Sequence, residues 1–410
     1  MSRGTDAMCL LGYPYNTSHM NYEQLFSARA KHVQSPRLAG VNYELTFNWG
    51  YPDPACLPNE AVLKAAERAL HTHGQDPLQY GGAMGNPKFV DQLVEKLRRD
   101  QKMDITRDNI MITSGSMPIL GLMCDLFVNV GDTVIVEAPT FLGAVRVMKN
   151  AGAKVIGIDL DANGMKLDQL EATLAKLKDQ NITPKFIYVI PNFQNPTGLT
   201  TPVERRQAII ALTKAYNTII LEDDAYYDLR FRNQSLPTMY SLAGNTGVVY
   251  MGTFSKILSP GMRLGWAVGE DGLIKTMSTM KVDGTSPFST HIAEEFCKED
   301  GLVNNITKVR AIYAQRCEQM QDALSEFMPA EVKWTDPDGG FFVWLTAPEH
   351  VNIADAVTKA RARGVDFQIG VPFFADGRGQ NTARLSFSYV PFDQMARGIQ
   401  IIAESIREVM

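Results

Sequence analysis

Thr253-Phe254-Ser255-Lys256, followed by Ser259-Pro260-Gly261-Met262-Arg263-Leu264-Gly265, is the stretch on which the reading of the fold turns. Apolar runs flank it, Val248-Val249-Tyr250-Met251-Gly252 before and Leu264-Gly265-Trp266-Ala267-Val268 after, and both have the composition of buried strands. A lysine between two buried strands needs a chemical reason. A Schiff base to an aldehyde is one, because it requires an amine that can lose its proton inside a protein. Two hydroxyls and Arg263, seven residues on, then supply short donors and a forked cation of the kind that holds a phosphate. A structural lysine beside a turn is the competing reading.

Upstream, strand and helix patterns alternate. Ile110 to Thr113 reads as a strand, Ser114-Gly115-Ser116-Met117 as a small-residue turn, and Leu120 to Phe127 as a helix. Such a turn into a helix N-terminus presents free backbone N–H groups to an anion. Further strands are expected at Asp132–Ala138, Lys154–Leu160, Phe186–Ile190 and Thr218–Leu221. They end in Pro139-Thr140-Phe141, Pro191-Asn192-Phe193-Gln194-Asn195-Pro196-Thr197-Gly198 and Glu222-Asp223-Asp224-Ala225-Tyr226-Tyr227. The pattern predicts an α/β fold, a mostly parallel sheet covered by helices on both faces. The informative residues follow strand C-termini, where open α/β sheets bind ligands.

Before this region, Asn21 to Ala30 has the composition of one short helix, and Leu45 to Pro54 reads as a strand entering a rigid turn. Helices are expected over Pro58–Leu70 and Pro87–Asp100, around a glycine-rich loop, Leu78-Gln79-Tyr80-Gly81-Gly82-Ala83-Met84-Gly85. After about residue 290 the layout becomes α+β. A long helix runs from His291 towards Phe327 with a break near Asp300-Gly301. Strands are expected at Val332–Trp334, Phe341–Leu345, Val365–Gln368 and Ala383–Phe387, and a last helix over Asp393–Met410. Residues 61–290 are therefore expected to form a large domain and 291–410 a smaller α+β one, with residues 1–60 packing against the smaller.

The chain has 410 residues, 45% of them apolar and 21% charged, which suits a globular protein with a large core. A net charge of −5 and the lack of basic runs argue against nucleic acid as a partner. No apolar stretch has membrane-spanning length, so no membrane is expected. Met1 to Asp6 lacks the layout of a secretory signal. Five scattered cysteines, Cys9, Cys56, Cys124, Cys297 and Cys317, fit no disulfide or metal spacing and point to a reducing cytoplasm. His71 and His73 have no ligand spacing around them, so no metal is expected.

Asn195-Pro196-Thr197-Gly198 begins 28 positions before Asp223, Tyr226 follows Asp223 by three, and Lys256 by 33. With Gly50-Tyr51-Pro52-Asp53-Pro54, Leu78-Gln79-Tyr80 and Thr113-Ser114-Gly115-Ser116, this set resembles the class I/II aminotransferases of the fold type I pyridoxal-phosphate enzymes. The resemblance runs from about Leu45 to the C-terminus and is strongest to the kynurenine/2-aminoadipate aminotransferase branch. It implies an enzyme that moves an amino group from an L-amino acid to a 2-oxo acid with pyridoxal 5'-phosphate as cofactor, Lys256 forming the aldimine with it. Asp223 would hold the proton on the ring nitrogen, with Asp224 as its rival; the count back from Tyr226 favours Asp223. Asn195 and Tyr226 would bind the ring's phenolic oxygen. Ser116, Met117, Thr253, Ser255 and Arg263 would hold the phosphate, and Phe141 would stack on the ring. Arg384 would fork onto the substrate carboxylate, with Gly50 and Asn195 beside it. Tyr80 would reach the phosphate of a neighbouring subunit, implying a homodimer.

The branch commonly has tyrosine where this chain has Phe141, and glutamine where it has Met117; both changes make the site less polar. A lyase, cyclase or oxidase using the same site is the alternative chemistry. A ligand-sensing domain of a transcriptional regulator is the alternative class.

Overall fold

The computed structural model describes residues 21–30, 43–282 and 284–410. Cys9 and the Met1–Asp6 segment lie outside them. The centre is an eight-stranded sheet. Across it run Ile110–Thr113, Gly265–Val268, Val248–Thr253, Ile219–Asp223, Phe186–Val189, Thr133–Ala138, Lys154–Asp161 and Gly164–Met165. Five consecutive members, from Val248–Thr253 to Lys154–Asp161, are parallel; Gly265–Val268 runs against both its neighbours, and Gly164–Met165 against its one.

Alternation along each strand builds two cores, because successive side chains leave opposite faces. Ile110, Ile112, Ile187, Val189, Ile220, Val248 and Tyr250 enter one buried cluster. Met111, Val134, Val136, Tyr188, Leu221, Val249 and Met251 enter the other. A sheet buried on both faces needs the near-continuous apolar strands seen in the sequence.

The second layer system is a four-stranded antiparallel sheet, ordered Lys333–Trp334, Phe342–Thr346, Thr382–Ser386 and Gln368–Ile369. The expected run Val365–Gln368 is not one strand. Val365–Asp366 pairs in parallel with Leu45–Thr46, while Gln368–Ile369 joins the four-stranded sheet. Phe367, fully buried between them, anchors the turn from one sheet to the other. The chain before the large domain thus lies along the small sheet: Phe47 N donates to Asp366 O at 2.7 Å and Ser386 N to Phe47 O at 2.8 Å.

The helix expected at Asn21–Ala30 is only a 3₁₀ turn at Tyr22–Leu25. Leu25 and Phe26 are exposed, so no packed face extends it. The long helix is interrupted as its sequence implies. Pro287–Cys297 and Gly301–Phe327 are separated by Glu299 and Asp300, both at positive φ. Among the described residues no helix is long and apolar enough to cross a membrane.

Candidate active site

Strand register gathers the candidate residues at one end of the large sheet. Thr113 and Thr253 both pair with Gly265, from its two sides. The turn Ser114-Gly115-Ser116 therefore lies over Arg263-Leu264-Gly265. Arg263 Nη2 donates to Ser114 O at 3.0 Å. Gly115 sits at φ +91°, a conformation that strains any residue with a side chain, and a Cβ there would also displace the Arg263 guanidinium. Met117 opens the helix Met117–Phe127, with Ser116 as its cap. Thr253 Oγ1 donates to Leu264 O and accepts from Ser255 N, both at 3.1 Å, and lies 2.9 Å from Ser255 Oγ. Among the described residues Arg263 has no carboxylate partner. Hydroxyls, helix N–H groups and an unpaired guanidinium form a cup suited to a phosphate.

Lys256 is half-buried, with its amine at the enclosed end. Nζ donates to Gly50 O at 2.9 Å and stands 5.4 and 5.9 Å from the ring centres of Phe341 and Tyr226. Burial lowers its pKa to about 8, the charges of Arg384 and Arg263 push the same way, and Asp223 opposes them. The extended segment from Leu45 to Gly50, held on the small sheet, delivers the Gly50 carbonyl. A side chain at Gly50 would collide with Phe342.

Asp223 and Asp224 are adjacent and both buried, but they serve different surroundings. Asp223 shares the sheet face of Tyr188 and Leu221, the face against which Met117 and Phe141 pack. Tyr188 Oη donates to Asp223 Oδ2 at 2.6 Å, and Oδ1 has no hydrogen-bond partner. Burial lifts its pKa to about 6, against the Tyr188 phenol, the nearby Ala225 amide and the Lys256 charge. Asp224 instead accepts from Asn192 Nδ2 at 2.9 Å, with Oδ2 unpartnered, and faces the charges of Glu222 and Arg206; only Asp223 feels the Lys256 charge.

Arg384 lies in the third strand of the small sheet, opposite Trp344 and Gln368. Only 5% exposed, it donates through Nη1 to Asn195 Oδ1 at 2.9 Å and through Nη2 to Asn48 O at 2.5 Å. Phe342 and Phe373 flank its guanidinium at 4.2 and 4.9 Å, and Nε has no partner. Burial lowers its pKa to about 10, opposed by Tyr226. Tyr226 is buried beside Asn195, and burial raises its phenol well above the ordinary range.

Residues 46–389 match the family model of aminotransferases class I and II. The chain belongs to that family. It is 36% identical over 400 residues to aromatic-amino-acid aminotransferase 1 of Thermococcus litoralis, across 95% of this chain and 96% of that one. It is 31% identical over 371 residues to 2-aminoadipate transaminase of Thermus thermophilus, across 89% and 91%. Kynurenine aminotransferase of Pyrococcus horikoshii, solved with PMP, superposes with a TM-score of 0.90 at 35% identity, covering 95% of this chain and 98% of that one. The protein is an aminotransferase, with pyridoxal phosphate as its cofactor.

The site of this aminotransferase fits that cofactor on its own atoms. The unpartnered, buried Asp223 Oδ1 could accept a ring N–H, and the cup around Arg263 would suit a phosphate. The sequence-predicted residues Ser116, Met117, Thr253, Ser255, Arg263, Asp223, Lys256, Tyr226, Asn195, Arg384 and Gly50 all converge on this end of the sheet. Phe141 lies at the start of the helix Leu142–Asn150, half-buried on the Asp223 face. Tyr80 stands apart, 99% exposed on its loop.

Several contributors escaped sequence reasoning. Tyr188 reads as one more apolar strand residue. Gln194 braces the Asn195 turn: Nε2 donates to Pro139 O and Glu137 Oε2, and Oε1 accepts from Thr197 N and Oγ1. Glu137 also accepts from Ile190 N at 3.0 Å, and burial lifts it to about 8. A glutamate inside an apolar strand was the available signal.

Proposed function

We propose that Lys256 carries the cofactor covalently and moves the proton at the substrate α-carbon, that Arg384 binds the substrate carboxylate, and that the preferred amino donor is aromatic or large and apolar. The observation that carries this reading is the Lys256 amine: it lies near two guanidiniums without a carboxylate partner and titrates near 8. Such an amine has a substantial neutral fraction close to physiological pH, as a nucleophile and proton carrier needs. Bound pyridoxal phosphate supplies an electron sink for negative charge at that carbon.

Asp223 is ionised above about pH 6 and so keeps a proton on the ring nitrogen at neutral pH. Arg384, desolvated between two aromatic rings and held by Asn195 and Asn48 with Nε unpartnered, offers a fixed planar cation to the carboxylate. Asn195, held by the Gln194 brace, orients Arg384 on one side and faces Tyr226 on the other. Ser116, Met117, Thr253, Ser255 and Arg263 would hold the phosphate, and Phe141 would offer its face to the ring. Phe341, Phe342 and Phe373 make the surroundings apolar, which favours an aromatic donor, the substrate class in the name of the Thermococcus litoralis relative.

The division into a large domain at 61–290 and a small one at 291–410, with residues 1–60 joined to the latter, is supported by the pairing of Leu45–Thr46 with Val365–Asp366. Two copies pair as a homodimer in which Tyr80 completes the partner's phosphate site; its nearly full exposure suits that task. The unpaired cysteines Cys56, Cys124, Cys297 and Cys317 suit a reducing cytoplasm.

Borohydride reduction of the holoenzyme followed by peptide mapping is expected to place the cofactor on Lys256. A donor panel with 2-oxoglutarate as acceptor is expected to rank phenylalanine, tyrosine or kynurenine above alanine and aspartate. Label on another lysine overturns the first assignment, and the reverse ranking overturns the second.

A further inference from the structure

The C-terminal end of the helix Asn59–His73 meets the helix Pro287–Cys297 outside the strand-end site. There the fold gives His73 partners that its sequence neighbourhood lacks. His73, His291 and Glu294 each place a ligand atom within 4.8 Å of the others. The two imidazole rings stand 4.9 Å apart, and His73 Nε2 is 3.6 Å from Glu294 Oε1. Ligand atoms around a tetrahedral ion with bonds of about 2.0–2.2 Å lie roughly 3.3–3.6 Å from one another. Closing the set therefore takes side-chain shifts of about an ångström, with no movement of either helix.

The outer atoms of two ligands are already engaged as ligation requires. His291 Nδ1 faces Pro287 O at 2.8 Å; a carbonyl only accepts, so Nδ1 carries the hydrogen and Nε2 keeps its lone pair. Glu294 Oε2 accepts from Asn86 Nδ2 at 2.8 Å, leaving Oε1 turned to His73. The charged neighbours are Glu295, whose Oε1 accepts the His73 Nε2 hydrogen at 3.0 Å, Lys298, whose Nζ lies 3.6 Å from Glu294 Oε1, and Arg68; a bound ion takes the place of the Nε2 hydrogen, which leaves as a proton. Both carboxylates are nearly sealed from water, whereas Lys298 and Arg68 are 42% and 46% exposed. Two buried negative charges are thus offset mainly by two solvent-screened cations.

We propose that His73, His291 and Glu294 form a binding site for a zinc-class divalent cation, stapling these two helices at the base of the loop that carries Tyr80. Two imidazoles and a carboxylate are borderline ligands that suit Zn²⁺ or Co²⁺ and not the all-oxygen preferences of Mg²⁺ or Ca²⁺. Glu295 or water takes the fourth position. The site braces both ends of the loop: His73 closes the helix before it, Asn86 caps the helix after it, and a Cβ at Gly81 would touch Pro287 Cγ at 2.9 Å. The inference rests on neither the strand-end site nor the roles given to its residues.

Chelator-treated holoenzyme is titrated with Co²⁺ and then Zn²⁺. One equivalent per chain is expected, with the intense visible bands of four-coordinate cobalt, their bleaching by zinc, and a higher Tm. Glu294→Gln and His291→Gln should each weaken cobalt binding by about tenfold or more. Both are checked metal-free by circular dichroism and cofactor content. If Glu294→Gln does not fold, the half-buried His291 position carries the test. Absence of the four-coordinate bands in the wild type, or bands of equal affinity in the variants, overturns the proposal.

Discussion

Lys96 and Lys256 both carry their amines out of water, and their surroundings push them in opposite directions. Lys96 Nζ is bound by Asp228 at 2.8 and 3.0 Å and by Asp100 at 3.1 Å. Burial alone would lower its pKa, but the two carboxylates outweigh it and raise the pKa. Lys256 suffers the same burial with arginines for neighbours and a carbonyl for its contact, and it falls to about 8. A buried lysine is therefore structural or chemical according to the charges facing it. The same contrast separates the ion-paired Arg316, bound to Asp53, from the unpaired Arg384 and Arg263.

The largest effect is expected at the lysine without a partner. Lys256→Ala should cut transamination more than about 10⁴-fold while leaving Tm near that of the wild type, because no ion pair is lost. Retained turnover, measured as 2-oxo acid release, would remove Lys256 from the chemistry. Next, Asp223→Asn should lower turnover by about 10²–10³-fold, and Asp224→Asn should leave the holoenzyme absorbance band in place. Equal spectral changes in the two variants would erase the distinction drawn from their sheet faces.

Lys96→Met reverses the pattern. It leaves the buried Asp228 without its cation, while Asp100 keeps Arg99, and should cost about 3–5 kcal/mol in denaturant unfolding, while the folded fraction keeps its cofactor. A variant as stable as the wild type would mean that the Lys96 network contributes nothing net. The titration of Lys256 supplies a finer test. Its depressed pKa puts the neutral amine in the minority below about pH 8 and in the majority above. Capture of added cofactor by apoenzyme should thus rise roughly tenfold per pH unit up to that point and then level. A rate still climbing at pH 10 would describe an ordinary lysine. The smallest change is Tyr80→Phe, which, if two copies pair as proposed, should weaken cofactor retention by about 1 kcal/mol in equilibrium dialysis. Unchanged retention in a dimeric variant would detach Tyr80 from the phosphate site.

Sequence alone determined the parts governed by local periodicity and residue chemistry. Strands such as Ile110–Thr113 are legible because a sheet buried on both faces demands short, uninterrupted apolar runs, and the strand-end motifs mark where such a sheet exposes backbone and side chains to a ligand. Lys256, Asp223, Asn195 and Arg263 stand out there because their types are out of place among apolar neighbours. Tertiary structure alone decided what depends on register and on contacts between distant segments. It turned Gly265–Val268 against its neighbours, divided Val365–Gln368 between two sheets and placed the Gly50 carbonyl on Lys256. It set Tyr188 against Asp223 and gave His73 two partners from a remote helix. These are contacts between residues far apart in the chain, fixed by the pairing of strands and the packing of helices, and no spacing in the sequence encodes them.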